Sequence, residues 1–200
     1  MHQFADKVVV GLTGGITSGK SETLRIFQEL GWEVISTDQI ASDHLSKNQQ
    51  VMDQVAGRWG SKIIFSRGIV DKKKIAEIIF NNPRERIWLE SLLHPLVRDS
   101  WVKFIECSNA PNLVVELPLL FENNLASYFF KTICLHIPLN LQVSRLQNRG
   151  HSLTEAQARI DSQMPSSEKL AQANYIFLGS GSVFFLRSQV KNFTHNFLKK

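Results

Sequence analysis

Gly14-Gly15-Ile16-Thr17-Ser18-Gly19-Lys20-Ser21 satisfies the spacing G-x-x-x-x-G-K-[ST], and its flanks are what give it force. Before it, Lys7-Val8-Val9-Val10-Gly11-Leu12 is a β-branched run that reads as a strand buried on both faces. After it, Leu24, Phe27 and Leu30 recur at helical spacing until Gly31 stops the helix. Trp32 to Ile35 is a second short strand. Strand, glycine turn, helix and strand make a βαβ unit, which commits the chain to a parallel sheet with a right-handed crossover. Glycines at this turn let backbone N–H groups wrap a phosphate, and the helix N-terminus adds partial positive charge. Residues Gly14 to Glu22 are therefore the expected site of a nucleoside triphosphate. Lys20 would reach its β- and γ-phosphates, and the Ser21 hydroxyl would ligate Mg²⁺.

The rest of the chain extends the same layout. Asp38 to about Ser108 reads as helical, with a possible extended piece at Lys62 to Phe65. Asp71 is the expected N-cap of a helix through Phe80, and Asn82-Pro83 opens a helix reaching about Leu93. His94-Pro95 marks a boundary before another helix over Leu96 to Cys107. Leu113-Val114-Val115-Glu116 and Thr132 to Ile137 are buried strands, and Pro138 opens a helix to about Arg149. Ser152-Leu153-Thr154-Glu155 fits a capping box for a helix to about Met164, ended by Pro165. Tyr175 to Leu178 is the last strand; the final helix carries Val183, Leu186, Val190, Phe193 and Phe197 on one apolar face. The expectation is an α/β fold: five parallel strands flanked by helices, with a helical insertion between the second and third strands.

Composition narrows the partners. The 200 residues carry 23 Lys+Arg against 18 Asp+Glu, a net charge of +5 with no block of five like charges, so charge alone names no partner. No run of 18 apolar residues exists, and Met1 to Asp6 lack the features of a secretion signal, so a cytoplasmic protein is expected. Cys107 and Cys134 are too few for a disulfide framework or a zinc site and read as reduced and structural.

Three uses of a triphosphate compete: kinase, GTPase switch and ATPase motor. No Asn-Lys-x-Asp guanine reader occurs, and the only near match to a motor's long apolar strand ending in Asp is the short Leu113 to Glu116. A kinase needs a carboxylate to orient and deprotonate an acceptor hydroxyl, and arginines that close over the transferring group. Asp38 lies just past the second strand, at the sheet edge where ligands bind in open α/β folds; its plain alternative is the N-cap of the following helix. Arg145 and Arg149, four apart on one helical face, with Arg159 on the next helix, would form a lid; a solvated basic face is the alternative.

Together these segments resemble the dephospho-coenzyme A kinase family along nearly the whole chain. The resemblance is carried by Gly11-Leu12-Thr13-Gly14-Gly15-Ile16, Val34-Ile35 through Asp38-Gln39-Ile40-Ala41, and Gly68-Ile69-Val70-Asp71-Lys72. More specific are Leu93-His94-Pro95-Leu96-Val97-Arg98 and Pro118-Leu119-Leu120-Phe121-Glu122, with Arg145, Arg149, Arg159 and Gln163-Met164-Pro165 resembling its lid. It implies ATP-dependent phosphorylation of the ribose 3′-hydroxyl of dephospho-coenzyme A with Mg²⁺, the last step of coenzyme A synthesis. It also implies one P-loop kinase domain in three parts: a core over about 6–37, 110–140 and 174–200, a helical substrate-binding insertion over about 38–109, and a lid over about 141–173. Carried over, Asp38 is the catalytic carboxylate, Lys20 the P-loop lysine, Arg149 and Arg145 the lid arginines, and His94 and Arg98 lie on the acceptor side. A buried, hydrogen-bonded histidine at a helix boundary is the plainer reading of His94. The partners so implied are ATP and dephospho-coenzyme A, without nucleic acid or membrane, and a monomer is expected. A kinase of another nucleoside or nucleotide hydroxyl, or a nucleotide-binding regulator that has lost catalysis, remains as an alternative.

The chain also departs from the family. Thr17 replaces a glycine, and a positive φ there would strain a β-branched residue by about 1–2 kcal/mol. Glu22 replaces a threonine, setting a carboxylate where the α-phosphate is expected unless the side chain turns away. Ser36 and Asn174 stand for aspartates, Lys72 for arginine, and Gly179 for an asparagine near the adenine. Together they predict weaker ATP binding or slower turnover than in relatives.

Overall fold

A computed structural model describes Phe4, residues 6–60, Ile63 and residues 70–198. Two compact units emerge: the residues up to Ser36 with those from Ser108 onward, and Thr37–Cys107.

The first unit is built on five parallel strands, β1 (Val8–Gly14), β2 (Glu33–Ser36), β3 (Asn112–Glu116), β4 (Lys131–His136) and β5 (Tyr175–Leu178), in the spatial order β2-β3-β1-β4-β5. The strands proceed to one side of β1 and then to the other, so the carboxyl end of β1 is a topological switch point, where open α/β sheets bind ligands. The core β-branched runs are fully buried: Val9, Val10, Leu113, Val114, Val115 and Ile133 are all 0% exposed. Helices α1 (Lys20–Glu29) and, at the end of the chain, the helix over Val183–Leu198 bring Phe27 and Phe193 together with Trp32, ring centroids 5.3–6.2 Å apart. In that last helix Leu186, Val190 and Phe193 are buried as the stripe predicts. Val183, placed on the same face by its spacing, is half exposed, and the Phe197 side chain lies outside the described residues.

The second unit is helical: α2 (Thr37–Lys47), α3 (Gln49–Trp59), α4 (Lys72–Asn81) and α5 (Pro83–Cys107), around a core of Val51, Val55, Val70, Ile75, Leu89 and Leu93. Asp71 caps α4 as expected, accepting from the Lys73 and Lys74 N–H groups. The extended piece expected over 62–65, apart from Ile63, and the Gly68-Ile69 pair lie outside the described residues. The boundary expected at His94-Pro95 does not exist, because α5 is one helix of 25 residues with Pro95 inside it. Leu89, Leu93, Val97, Trp101 and Ile105 recur every four residues, so one inward stripe runs through the proline. Pro95 is exposed, and so is Ser91, the residue whose carbonyl the proline leaves without its helical partner.

Beyond β4, the first unit adds α6 (Leu139–Gln147), α7 (Leu153–Asp161) and α8 (Ser166–Gln172), the final helix being α9 (Val183–Leu198). The Ser152–Glu155 capping box forms in both directions. The sequence extends α7 to Met164, but it stops at Asp161. The Met164 N–H, instead of continuing the ladder, donates to Glu122 Oε1 at 3.1 Å, and Pro165 starts α8 as a separate helix. No helix among the described residues is long and apolar enough to cross a membrane.

Candidate active site

The carboxyl end of β1 turns at Gly14, whose φ of 146° and tight surroundings both require glycine: a Cβ there would sit 2.6 Å from the Leu135 carbonyl oxygen. Gly19, at φ 102°, occupies the N-cap of α1 with no side-chain cap, leaving the first N–H groups of the helix to the loop. Lys20 Nζ donates to the Gly14 and Gly15 carbonyls at 3.0 and 3.1 Å, so its ammonium is held over the loop. The Ser21 side chain is exposed in the first turn of α1.

Thr17 does adopt a left-handed backbone, φ 60°, and its hydroxyl and that of Ser18 are buried without hydrogen-bond partners among the described residues. The strained loop is held from outside. Arg145 on α6 donates to the Thr17 carbonyl at 2.8 Å and to the Gly179 carbonyl at 3.0 Å, stitching the loop to the turn after β5. Gly179 belongs to the same joint: a Cβ on it would come 2.0 Å from the Ser18 carbonyl oxygen, so a side chain at this position requires the loop to move.

Glu22 turns away from the loop to Arg25, whose hydrogen bond holds its carboxyl below the usual carboxylate range. Arg25 also pairs with Glu29, and Glu29 with Arg187, so the carboxylate belongs to a surface network of alternating charge. Asn174 keeps the acceptor an aspartate would offer: its Oδ1 accepts from the Thr132 N–H at 2.9 Å. Ser36, at the end of β2, donates to Glu116 Oε2 at 2.6 Å.

Arg149 is not on one helical face with Arg145. Helix α6 ends at Gln147, and Arg149 lies past its end, exposed, beside Gly150 at φ 90°; no hydrogen bond or ion pair engages its guanidinium among the described residues. Arg159 is half-buried on α7. In the helical unit, Asp38 is exposed in the first turn of α2; the helix starts at Thr37, directly after β2, so Asp38 is not its N-cap. His94, half-buried, and Arg98, exposed, lie four apart inside α5, which removes the helix-boundary reading of His94.

Sequence reasoning missed three features. Glu116, only 5% exposed, ends β3 in register with Leu12 of β1, and the signal was there in a buried strand closing on a carboxylate. Lys169 of α8, 1% exposed, donates to Glu122 Oε1 at 2.8 Å and to the Pro118 carbonyl at 2.9 Å, and Thr13 shares that carbonyl at 3.3 Å. Gln163 Oε1 accepts from the Ile16 N–H of the loop at 3.1 Å. A cavity of about 510 Å³ is lined by Gly15, Gln142, Gln157, Asp161 and Gln163 among others. No cluster of three or more metal-ligating side chains is present among the described residues. By chemistry alone, the Ser21 hydroxyl and the Glu116 carboxylate are oxygen donors of the kind a hard cation takes alongside phosphates and water.

Residues 8–184 match the family model of dephospho-CoA kinase. The chain belongs to the dephospho-CoA kinase family. It is 39% identical over 187 residues to a curated dephospho-CoA kinase of Trichormus variabilis, covering 91% of this chain and 94% of that one. A solved dephospho-CoA kinase from Campylobacter jejuni superposes with a TM-score of 0.66 at 29% identity, over 95% of this chain and 97% of the other. Shikimate kinase from Aquifex aeolicus, at 12% identity and a TM-score of 0.51 over 92% and 95% of the chains, shares the fold alone. The glycine loop of this family member, its lysine and the parallel sheet thus stand in the framework of phosphoryl-transferring P-loop kinases.

Proposed function

We propose that this chain transfers the γ-phosphoryl group of ATP to the ribose 3′-hydroxyl of dephospho-coenzyme A, yielding coenzyme A. The observation that carries the reading is a formed phosphate loop, with Lys20 over it and Gly19 opening α1, in a chain of the dephospho-CoA kinase family. Residues Gly14 to Glu22 cradle the triphosphate. Ser21 would hold Mg²⁺, with the Glu116 carboxylate as a candidate second oxygen donor; when bound, the ion offsets phosphate charge.

In this reading Asp38, two residues past the end of β2, accepts or orients the proton of the attacking hydroxyl. Lys20 and Arg149 offset charge on the transferring group, Arg149 from a segment whose guanidinium has no other engagement among the described residues. Arg145 acts one step back, since its guanidinium is spent on the Thr17 and Gly179 carbonyls and fixes the loop. His94 and Arg98 serve the acceptor side from α5. The turned-away Glu22 keeps its carboxylate off the loop, which supports ordinary rather than weakened ATP binding at that position. The chain works in the cytoplasm as a monomer. Incubation with ATP, Mg²⁺ and a panel of hydroxyl acceptors tests this: dephospho-coenzyme A should gain one phosphoryl group. Transfer to another nucleoside in its place, or ATP binding without any transfer, overturns the reading.

A further inference from the structure

We infer that Gln163 contacts the transferring phosphoryl group, with its side-chain carbonyl anchored on the phosphate loop and its amide nitrogen serving as the donor. The inference rests on the reaction proposed above. The Ile16 N–H donates to Gln163 at 3.1 Å, and since that partner is a donor, the side-chain oxygen is the atom that faces it. The two heteroatoms of an amide are about 2.2 Å apart, so Nε2 lies within about 5.3 Å of the Ile16 nitrogen. Among the described residues nothing is hydrogen-bonded to Nε2, and Gln163 lines the same cavity as Gly15. Its position is fixed from the next residue on: the Met164 N–H is held by Glu122, and Glu122 by the buried Lys169. This is a donor whose location was settled before any substrate arrives, which is what makes a hydrogen bond to developing charge effective.

During transfer the bond from the γ-phosphorus to the β,γ-bridging oxygen breaks and a bond to the acceptor 3′-oxygen forms. The hydroxyl proton passes to Asp38 and ADP leaves. Gln163 exchanges no proton; it donates one N–H to a non-bridging oxygen of the group in flight. Being neutral, it adds direction at a place where Lys20 and Arg149 supply charge.

The variants Gln163→Ala and Gln163→Glu separate this role from that of a tether. Glutamate keeps an acceptor for the Ile16 N–H, so the tether survives, but it sets a carboxylate oxygen where the donor stood. Contact with the phosphoryl group predicts that Q163A loses about tenfold to a hundredfold in kcat and that Q163E loses more. A tether alone predicts the reverse order, with Q163E near the wild type, and that result overturns the inference. Calorimetric ATP affinities of the same variants, taken without acceptor, give a second reading: Q163E should bind ATP more weakly than Q163A, and equal or inverted affinities count against phosphate contact. A wild type that binds ATP but transfers nothing to dephospho-coenzyme A overturns the proposed reaction, while the affinity order still decides the place of Gln163.

Discussion

Replacing Lys169 by Met removes a charge that the fold has buried almost completely. The lysine is 1% exposed and makes two short contacts, to Glu122 Oε1 at 2.8 Å and to the Pro118 carbonyl at 2.9 Å. Methionine fills the space but leaves Glu122 Oε1 with only the Met164 N–H, and Oε2 is already buried without a partner among the described residues. Pro118 keeps the weaker Thr13 contact at 3.3 Å. Breaking a buried pair from one side costs about 3–5 kcal/mol. Because the Glu122 side chain retains 20% of its exposure and the carbonyl keeps one donor, the low end applies, about 3 kcal/mol. With a urea slope of about 2 kcal/mol per molar, the unfolding midpoint followed by tryptophan fluorescence should fall by about 1.5 M. Adding Glu122→Gln to the methionine variant removes the stranded charge and should restore at least half of the loss, a coupling of about 1.5 kcal/mol or more in the double-mutant cycle. A K169M midpoint within about 0.3 M of wild type, or strictly additive single effects, would refute the argument.

Three further outcomes follow from the same geometry. Asp38→Asn should lower kcat by about two orders of magnitude or more with the ATP dissociation constant little changed, read by steady-state kinetics and calorimetry; near-normal turnover removes Asp38 as the proton acceptor. Thr17→Gly should raise stability by about 1 kcal/mol in thermal or urea unfolding, because relief of the φ 60° strain and of a buried unpaired hydroxyl outweighs the added freedom of the unfolded glycine. Burial pushes the Cys134 thiol up to about 11, whereas Cys107 is exposed, so a thiol reagent at pH 8 should modify one cysteine in the native protein and two in denaturant. The sign is fixed by the thiolate being the reactive form: raising pH toward 11 exposes Cys134 to reaction, and lowering it protects further. Two fast-reacting thiols at pH 8 would contradict the burial.

The sheet and the phosphate loop were legible because their signals are local and agree with one another. Buried β-branched runs, the glycine spacing and the helix stripe around Leu24 and Phe27 all point to one βαβ unit, and the strands formed where the runs lie. Pro95 misled because a local rule was applied where tertiary packing decides: its ring faces solvent while Leu89 to Ile105 keep one side buried. Arg145 and Arg149 were read as one face from their spacing, but α6 stops between them at Gln147, and a spacing of four does not by itself show where a helix ends. Gln163 and Lys169 were beyond sequence pattern altogether, since a glutamine bonded to an amide 147 positions away leaves no periodic trace, whereas Glu116 closes a buried strand that the sequence did show. The family resemblance named the segment of Gln163 without saying what its side chain touches.

The central claim is tested most directly by the position of the phosphate in the product. Wild-type protein incubated with ATP, Mg²⁺ and dephospho-coenzyme A should yield a single product whose new phosphate resides on the ribose 3′-oxygen by phosphorus NMR, and the 3′-deoxy analogue should remain unmodified. Phosphorylation of the analogue, or of any other oxygen of the true substrate, would contradict the account.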